Sequence, residues 1–247
     1  TSKSEIINLS NRLNKYYHLE LEEFSKYLVQ PYSYTWCPGV YGWTECKLAD
    51  TWDCEDCNLA TTCQLVTTKY NKFVTDLYAI RRKTINWMEQ QVFALDFDGD
   101  LSYEEFLDRA ETYGVYPNIV YSTFSSVNNN KYRAVYALEI PIDNPAVREC
   151  VEQSLRALYP EADNTSDAAR MFFGGKELLY EDYFTPLDVW GLVVGVVSFL
   201  KDTNPTNESR AINNYCRKAG IENLNGLPRM EADTPEALKS WGENRRN

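Results

Sequence analysis

The chain has 247 residues, 44% hydrophobic and 14% aromatic, enough for a real core in one large domain or two small ones. Its formal charge of −11 excludes a protein that coats nucleic acid by bulk electrostatics, because phosphate neutralisation needs lysine and arginine; any such contact has to be local. The longest apolar stretch, VWGLVVGVVSFL at 189–200, is too short to span a bilayer, and the N-terminus opens polar, so a cytoplasmic protein with no membrane partner is expected.

The chain opens on Thr1 rather than Met, as a processed or excised piece of a longer polypeptide would. Residues 4–29 carry Ile6, Leu9, Leu13, Leu21, Phe24 and Leu28 at three-to-four spacing, which predicts an amphipathic helix or helix pair stopping at Pro31. Residues 31–70 are rich in Trp, Cys, Gly and Asp without a clear period and read as a loop-rich insert or small module. Five of the seven cysteines, at 37, 46, 54, 57 and 63, fall within 27 residues. Without a signal peptide, a cytosolic metal site is favoured over a disulfide framework. Cys46, Cys54, Cys57 and Cys63, spaced C-x7-C-x2-C-x5-C, would close a tetrahedral structural zinc site. The spacing matches no standard finger, and free or disulfide-paired cysteines fit it equally well. Cys150 and Cys216 read as ordinary helix residues. A short helical pattern over 71–83 ends in the basic triplet Arg81, Arg82, Lys83.

QVFALDF at 91–97 then predicts a strand, and Ser102-x-x-Glu105 has the capping-box form that opens a helix running to Gly114. A second strand at 118–124, a polar turn at 125–131 and a third strand at 132–140 make a hairpin with a long tip. Asn144-Pro145 caps a helix through Tyr159. The stretch around 168–176 reads as a turn or strand bent at Gly174-Gly175. Thr185-Pro186 starts another helix on cap grounds, although its Val-rich interior also suits a strand. A helix near 208–219 precedes a Gly, Pro and charge-rich tail that reads as a linker.

ALDFDGDLSYEEF, at 94–106, looks like an EF-hand loop only as a string. Counted from Asp96, the sixth position is Leu101 and the twelfth Leu107, where calcium binding needs Gly and a bidentate Glu, and the preceding segment is a strand rather than a helix. What remains is Asp96 and Asp98, two apart in a strand and so on one face, with Phe97 turned to the core. Two converging carboxylates repel, and divalent cations between them account for their coexistence. The alternative is a core-edge Asp96 and a plain turn at 98–100. Asp100, Glu104 and Glu105 are turn and helix-start residues whose charge suits the helix dipole.

Taken in order, VFALDFDGD, then YSTFSS with KYRAVY, then DAARMFFGGK resemble the catalytic core of the archaeo-eukaryotic primase-polymerases, particularly the phage and plasmid branch, over roughly residues 90–180. The resemblance implies an α+β fold with an RRM-like antiparallel sheet as catalytic core, placed over 71–201; outside it the chain's own patterning reads as a helical and Cys-rich module over 1–70 and a C-terminal helix with a linker-like tail over 202–247. It implies a DNA-dependent primase or DNA polymerase, a nucleotidyltransferase in which a 3′-hydroxyl attacks the α-phosphate of a nucleoside triphosphate on a single-stranded DNA template. Two-metal catalysis by Mg²⁺ or Mn²⁺ follows, in DNA replication of a plasmid, phage or other mobile element, with a helicase domain or other replication proteins as partners.

On that resemblance Asp96 and Asp98 are the first two metal ligands and Asp167 the third, with Asp163 as fallback; by its own sequence context Asp167 is equally an N-cap before Ala168-Ala169. The family's second motif usually carries a phosphate-binding His. This chain's one His is His18, far from the motif, and Arg133 stands on the corresponding strand, where a guanidinium can grip phosphate. Ser125 and Ser126 on the hairpin, with Arg170, Lys176 and the amides of the two glycines, complete the expected nucleotide-binding set, while Lys131 beside them reads first as a solvated turn residue. Solvated turn residues are the plain alternative for the hairpin group. Arg81 to Lys83 would meet template or triphosphate, or be an exposed helix end. A zinc module near the active site, common in primases, supports the zinc reading by analogy. The competing function is a non-catalytic replication-initiator or single-stranded-DNA-binding module on the same fold, suggested by the missing His and the acidic charge.

Overall fold

The structure, a computed structural model, describes residues 17–30, 34–41, 84, 87–163 and 167–221. The elements in chain order are α1 (Leu21–Leu28), β1 (Thr35–Trp36), β2 (Gly39–Tyr41), β3 (Trp87–Phe97), α2 (Tyr103–Tyr113), β4 (Ile119–Thr123), β5 (Tyr132–Ile142), α3 (Pro145–Leu158), β6 (Phe172–Phe173), β7 (Gly175–Glu181), α4 (Val189–Thr203) and α5 (Glu208–Ala219). The four-cysteine cluster, the 81–83 triplet and the first half of the predicted N-terminal helix lie outside the described residues.

The fold is α+β with antiparallel sheets: five strands in the order β2-β3-β5-β4-β7, and a two-stranded ribbon of β1 and β6. Alternation along the strands sorts side chains to two faces. Phe93, Leu95 and Phe97 of β3, Val120 of β4, and Tyr132, Ala134 and Tyr136 of β5 join one core with Phe106, Val151, Leu155, Val196 and Tyr215 of the helices α2 to α5. Ala94, Ile119, Tyr121 and Val135 point the other way and meet Leu28 of α1 and Phe172 of β6. The sheet thus has a helical face and a second face partly covered by α1 and the β1–β6 ribbon.

Local chemistry accounts for the boundaries. At α2, Ser102 Oγ accepts the Glu105 amide while the Glu105 carboxylate accepts the Ser102 amide, and Gly114 ends the helix at φ 68°. Asn144 Oδ1 caps α3 on the Ala146 amide, with Pro145 in the first turn. β3 begins at Trp87 rather than at residue 91, because Gly39, Val40 and Tyr41 pair with its first residues. Those three residues and β1 are strands inside the stretch that reads as aperiodic.

Thr185-Pro186 does not start α4. Asp182 Oδ1 takes the Phe184 and Thr185 amides, and the Thr185 carbonyl accepts Asn118 Nδ2, so this segment is a pinned turn. α4 begins at Val189, where both Asp188 carboxylate oxygens cap the helix, and its Val-rich interior is helical. Among the described residues no helix is long and apolar enough to cross a membrane.

Candidate functional site

β3 and β5 set the site by register. Phe97 lies opposite Tyr132 and stacks on its ring with centroids 4.7 Å apart, and Phe106 and Tyr159 close around it at 5.3 and 5.9 Å. With Phe97 fixed in the helical core, Asp96 turns to the second face. Its Cα partner is Arg133, and Arg133 Nη2 stands 2.7 Å from Asp96 Oδ2. Asp98 lies just beyond the strand end, yet the cross-strand relationship continues: Lys131 Nζ donates to Asp98 Oδ1 at 3.2 Å. Both carboxylates are therefore on one face, and each is met by a cation, Asp96 by Arg133 of β5 and Asp98 by Lys131 just before that strand, which offsets their mutual repulsion.

The two rungs are unequal. The Arg133 and Asp96 side chains are 7% and 14% exposed, those of Lys131 and Asp98 32% and 53%. Removing one partner from a buried pair leaves an uncompensated charge and costs about 3–5 kcal/mol, whereas an exposed pair contributes about 0–1 kcal/mol.

Arg133 is committed inward. Nη1 donates to Tyr121 Oη at 3.1 Å and to the Phe173 carbonyl, and the guanidinium lies 5.0 Å from the Phe172 ring centroid and 5.6 Å from that of Tyr121. Burial works to lower its pKa, but Tyr121 and the Asp96 carboxylate outweigh it, so Arg133 stays charged. Burial raises the Tyr121 phenol against the opposing pull of Arg133, which keeps it neutral; it donates to the Phe173 carbonyl at 2.9 Å and accepts Trp36 Nε1 at 3.2 Å. The guanidinium that the resemblance gives to a phosphate holds Asp96.

The segment from 167 to 176 is drawn onto this face by residues 34–41. Gly174 N donates to the Tyr34 carbonyl at 3.2 Å, Cys37 Sγ to the Arg170 carbonyl at 2.9 Å, and Tyr41 Oη to the Ala168 carbonyl; Trp36 packs on Phe172 at 5.1 Å. Of the two glycines, Gly175 serves the pairing of β7 with β4. The Gly174 amide is spent on Tyr34, and a Cβ at Gly175 would stand 1.9 Å from the Ser122 carbonyl of β4.

The remaining expected site residues divide. Ser126 is buried in the hairpin turn: its Oγ accepts the Lys131 amide at 3.2 Å and its carbonyl accepts Lys176 Nζ at 2.6 Å. Ser125 is exposed, its Oγ 3.3 Å from that of Thr123. Asp163 is exposed, and its amide donates to the Asp96 carbonyl at 2.9 Å. Asp167 Oδ1 accepts Thr84 Oγ1 and the Ala169 amide, each at 2.9 Å, which is the capping role its sequence context offers, here in a turn. Asp167 and Arg170 line a neighbouring cleft with Gln90, Arg148, Glu152 and Phe172.

Gln90, Arg148 and Glu152, 3%, 9% and 6% exposed, went unread in the sequence. The available signal is the i, i+4 spacing of Arg148 and Glu152 beside the apolar Val147 and Val151 stripe of α3. His18 is exposed, Cys150 is buried in α3, and Cys216 is half-buried in α5.

Asp96 and Asp98 fit a small divalent cation. Asp96 Oδ1 and Asp98 Oδ2 accept no hydrogen bond from a described residue, and Mg²⁺ takes one or two carboxylates and fills its shell with water and phosphate oxygens. Among the described residues, no group of three or more His, Cys, Asp or Glu side chains is gathered to hold a metal, so Asp167 is not joined to the pair.

No family model and no curated protein matches the chain. Among solved structures, the chain is similar to the AEP domain of the cyanophage S-2L primase-polymerase (PrimPol), at 17% identity and a TM-score of 0.37, over 47% of this chain and 65% of that one. The match spans less than two thirds of that domain, and so distant a likeness leaves the functional reading to the residues themselves.

Proposed function

We propose that the chain is a nucleotidyltransferase of the primase-polymerase kind, which makes or extends a primer on single-stranded DNA from nucleoside triphosphates. The observation that carries this reading is that one guanidinium ties together the three segments that resemble the family's motifs: Arg133, in the second, holds Asp96 of the first and the Phe173 carbonyl of the third. Residues that share only a sequence order have no reason to share a hydrogen-bond network. A sheet with helices on one face and these residues on the other also suits the RRM-like core of the family.

In this reading Asp96 and Asp98 hold Mg²⁺ or Mn²⁺, and Asp167 is the candidate third ligand. The metal would supply charge neutralisation at the attacking 3′-oxygen and the leaving pyrophosphate. The chain's own residues do the positioning. Arg133 fixes the Asp96 carboxylate in one orientation, Asp98 stays accessible at the strand end, and Lys176 with Arg170 offers cations to the triphosphate. A structural zinc at Cys46, Cys54, Cys57 and Cys63 rests on the spacing of the cysteines, and a role in replication of a mobile element beside a helicase rests on the sequence resemblance; both belong to the same proposal.

The test is incubation with single-stranded template, labelled nucleotides and Mn²⁺ or Mg²⁺. Metal-dependent products are expected, their length and sugar content defining the reaction, with a loss of about 100-fold or more in Asp98→Asn at an unchanged melting temperature. A folded protein that binds single-stranded DNA tightly and incorporates nothing with either metal overturns the reading. It would establish the second one, a replication-initiator or single-strand-binding module. One observation favours that alternative: each carboxylate is already neutralised by a cation, so the ladder suffices as a structural clamp.

A further inference from the structure

The unequal rungs at the end of β3 give Lys131 a role distinct from that of Arg133. Arg133 cannot leave Asp96 without abandoning a largely buried carboxylate, and its Nη1 is held by Tyr121 and the Phe173 carbonyl. Lys131 is tied to Asp98 by a single contact of 3.2 Å, in an exposed pair and through a flexible four-carbon stem. An ammonium and a divalent cation repel each other, so one carboxylate oxygen pair does not serve both well.

We infer that Lys131 is an exchangeable counter-ion for Asp98. Its ammonium neutralises the carboxylate in the ligand-free chain, yields it to an arriving divalent cation, and turns to a phosphate oxygen of the nucleoside triphosphate that arrives with the metal. This rests on the proposed nucleotidyl transfer. The exchange conserves local charge, because the position lost by the ammonium on Asp98 is replaced by one on the anionic substrate. Lys176, the nearby lysine, is held by the neutral Ser126 carbonyl and does not compete for the carboxylate.

The test reads Mn²⁺ binding to the whole chain without nucleotide, by the electron paramagnetic resonance signal of free Mn²⁺. Lys131→Gln should bind Mn²⁺ about tenfold more tightly than the wild type, Lys176→Gln should stay within about twofold, and Asp98→Asn should lose at least about tenfold. A second arm measures binding of a nucleoside triphosphate with saturating Mn²⁺, which Lys131→Gln should weaken several-fold while Mn²⁺ itself binds more tightly. Opposite signs in the two arms are what exchange requires, and a merely structural turn lysine would not produce them.

Unchanged Mn²⁺ affinity in Lys131→Gln, or an equal gain in Lys176→Gln, overturns the exchange while leaving nucleotidyl transfer standing. Wild-type Mn²⁺ affinity in Asp98→Asn removes Asp98 as a ligand and overturns both. All three side chains are at the surface or partly so, and equal melting temperatures verify that the variants fold.

Discussion

Arg133 and Asp96 face one another across β5 and β3, 2.7 Å apart and almost wholly shielded from water, and their union is as much a stability device as a site. Asp96→Ala would strand the guanidinium between Phe172 and Tyr121, so a loss of about 3–5 kcal/mol in urea unfolding is expected. Replacing both partners by apolar residues, as in Asp96→Leu with Arg133→Met, should recover part of that loss, since no uncompensated charge is left. If the double variant is less stable than Asp96→Ala alone, the pair is not what fixes this face. Loss of activity in Asp96→Ala would therefore conflate unfolding with chemistry, and Asp98→Asn is the cleaner probe.

Gly175 is fixed by contact rather than by conformation. An added Cβ would lie 1.9 Å from the Ser122 carbonyl and 2.7 Å from Tyr121 Cδ2, both on β4, and backbone cannot step aside as a flexible side chain would. Gly175→Ala should cost at least the ~1–3 kcal/mol of an overpacked core and loosen β7, seen as faster amide exchange along Gly175–Glu181. Gly114→Ala is the contrast: its φ of +68° is strained for alanine, but nothing lies within 4 Å, so only local strain of about 1 kcal/mol is expected.

The capping box of α2 gives a pH signature. The side-chain hydrogen bond from Ser102, then the Ser102 amide, hold the Glu105 pKa below its ordinary value. A carboxylate lowered in the folded state adds stability above its unfolded pKa and loses it as pH falls through the lowered folded value. Ser102→Ala should cost about 0.5–2 kcal/mol near neutrality, and the gap to wild type should narrow as acid protonates Glu105. Urea midpoints from pH 7 to pH 3 check this; a gap that widens in acid contradicts the assigned hydrogen bonds.

Strong local signals carried most of the fold into the sequence. The Ser102 and Asn144 caps, the alternation through Phe93, Leu95 and Phe97, and the turn at 125–131 each act through neighbours within a few residues, so they are legible in a one-dimensional string. β1 and β2 were not, because two- and three-residue strands exist only by pairing with Phe172–Phe173 and with the start of β3. Arg133 shows the same limit at the site. Its position on β5 is evident from the pattern, but its direction is set by the Asp96 register and by the Phe173 carbonyl, which are tertiary facts. The cleft around Arg148 and Glu152 was missed because charged residues on a helix read as its solvated side, and here that side is covered by residues near 167–172.

Ligand binding should register as stability even where turnover is slow. A ligand that binds only the folded chain stabilises it by RT ln(1 + [L]/Kd), about 2.7 kcal/mol at one hundred times Kd. For a chain of this size that corresponds to a rise in melting temperature of about 5–10 °C. Mn²⁺ with a nucleoside triphosphate should produce such a rise in the wild type, and chelation should reverse it. Asp98→Asn should lose most of the shift, because the carboxylate that faces solvent at the strand end is the one a metal-bound substrate can reach. Asp167→Ala separates two roles: if its Oδ1 only caps the Ala169 turn, the melting temperature without ligand falls and the ligand-induced shift survives. Loss of that shift as well would bring Asp167 to the metal, closing a three-carboxylate site on substrate binding.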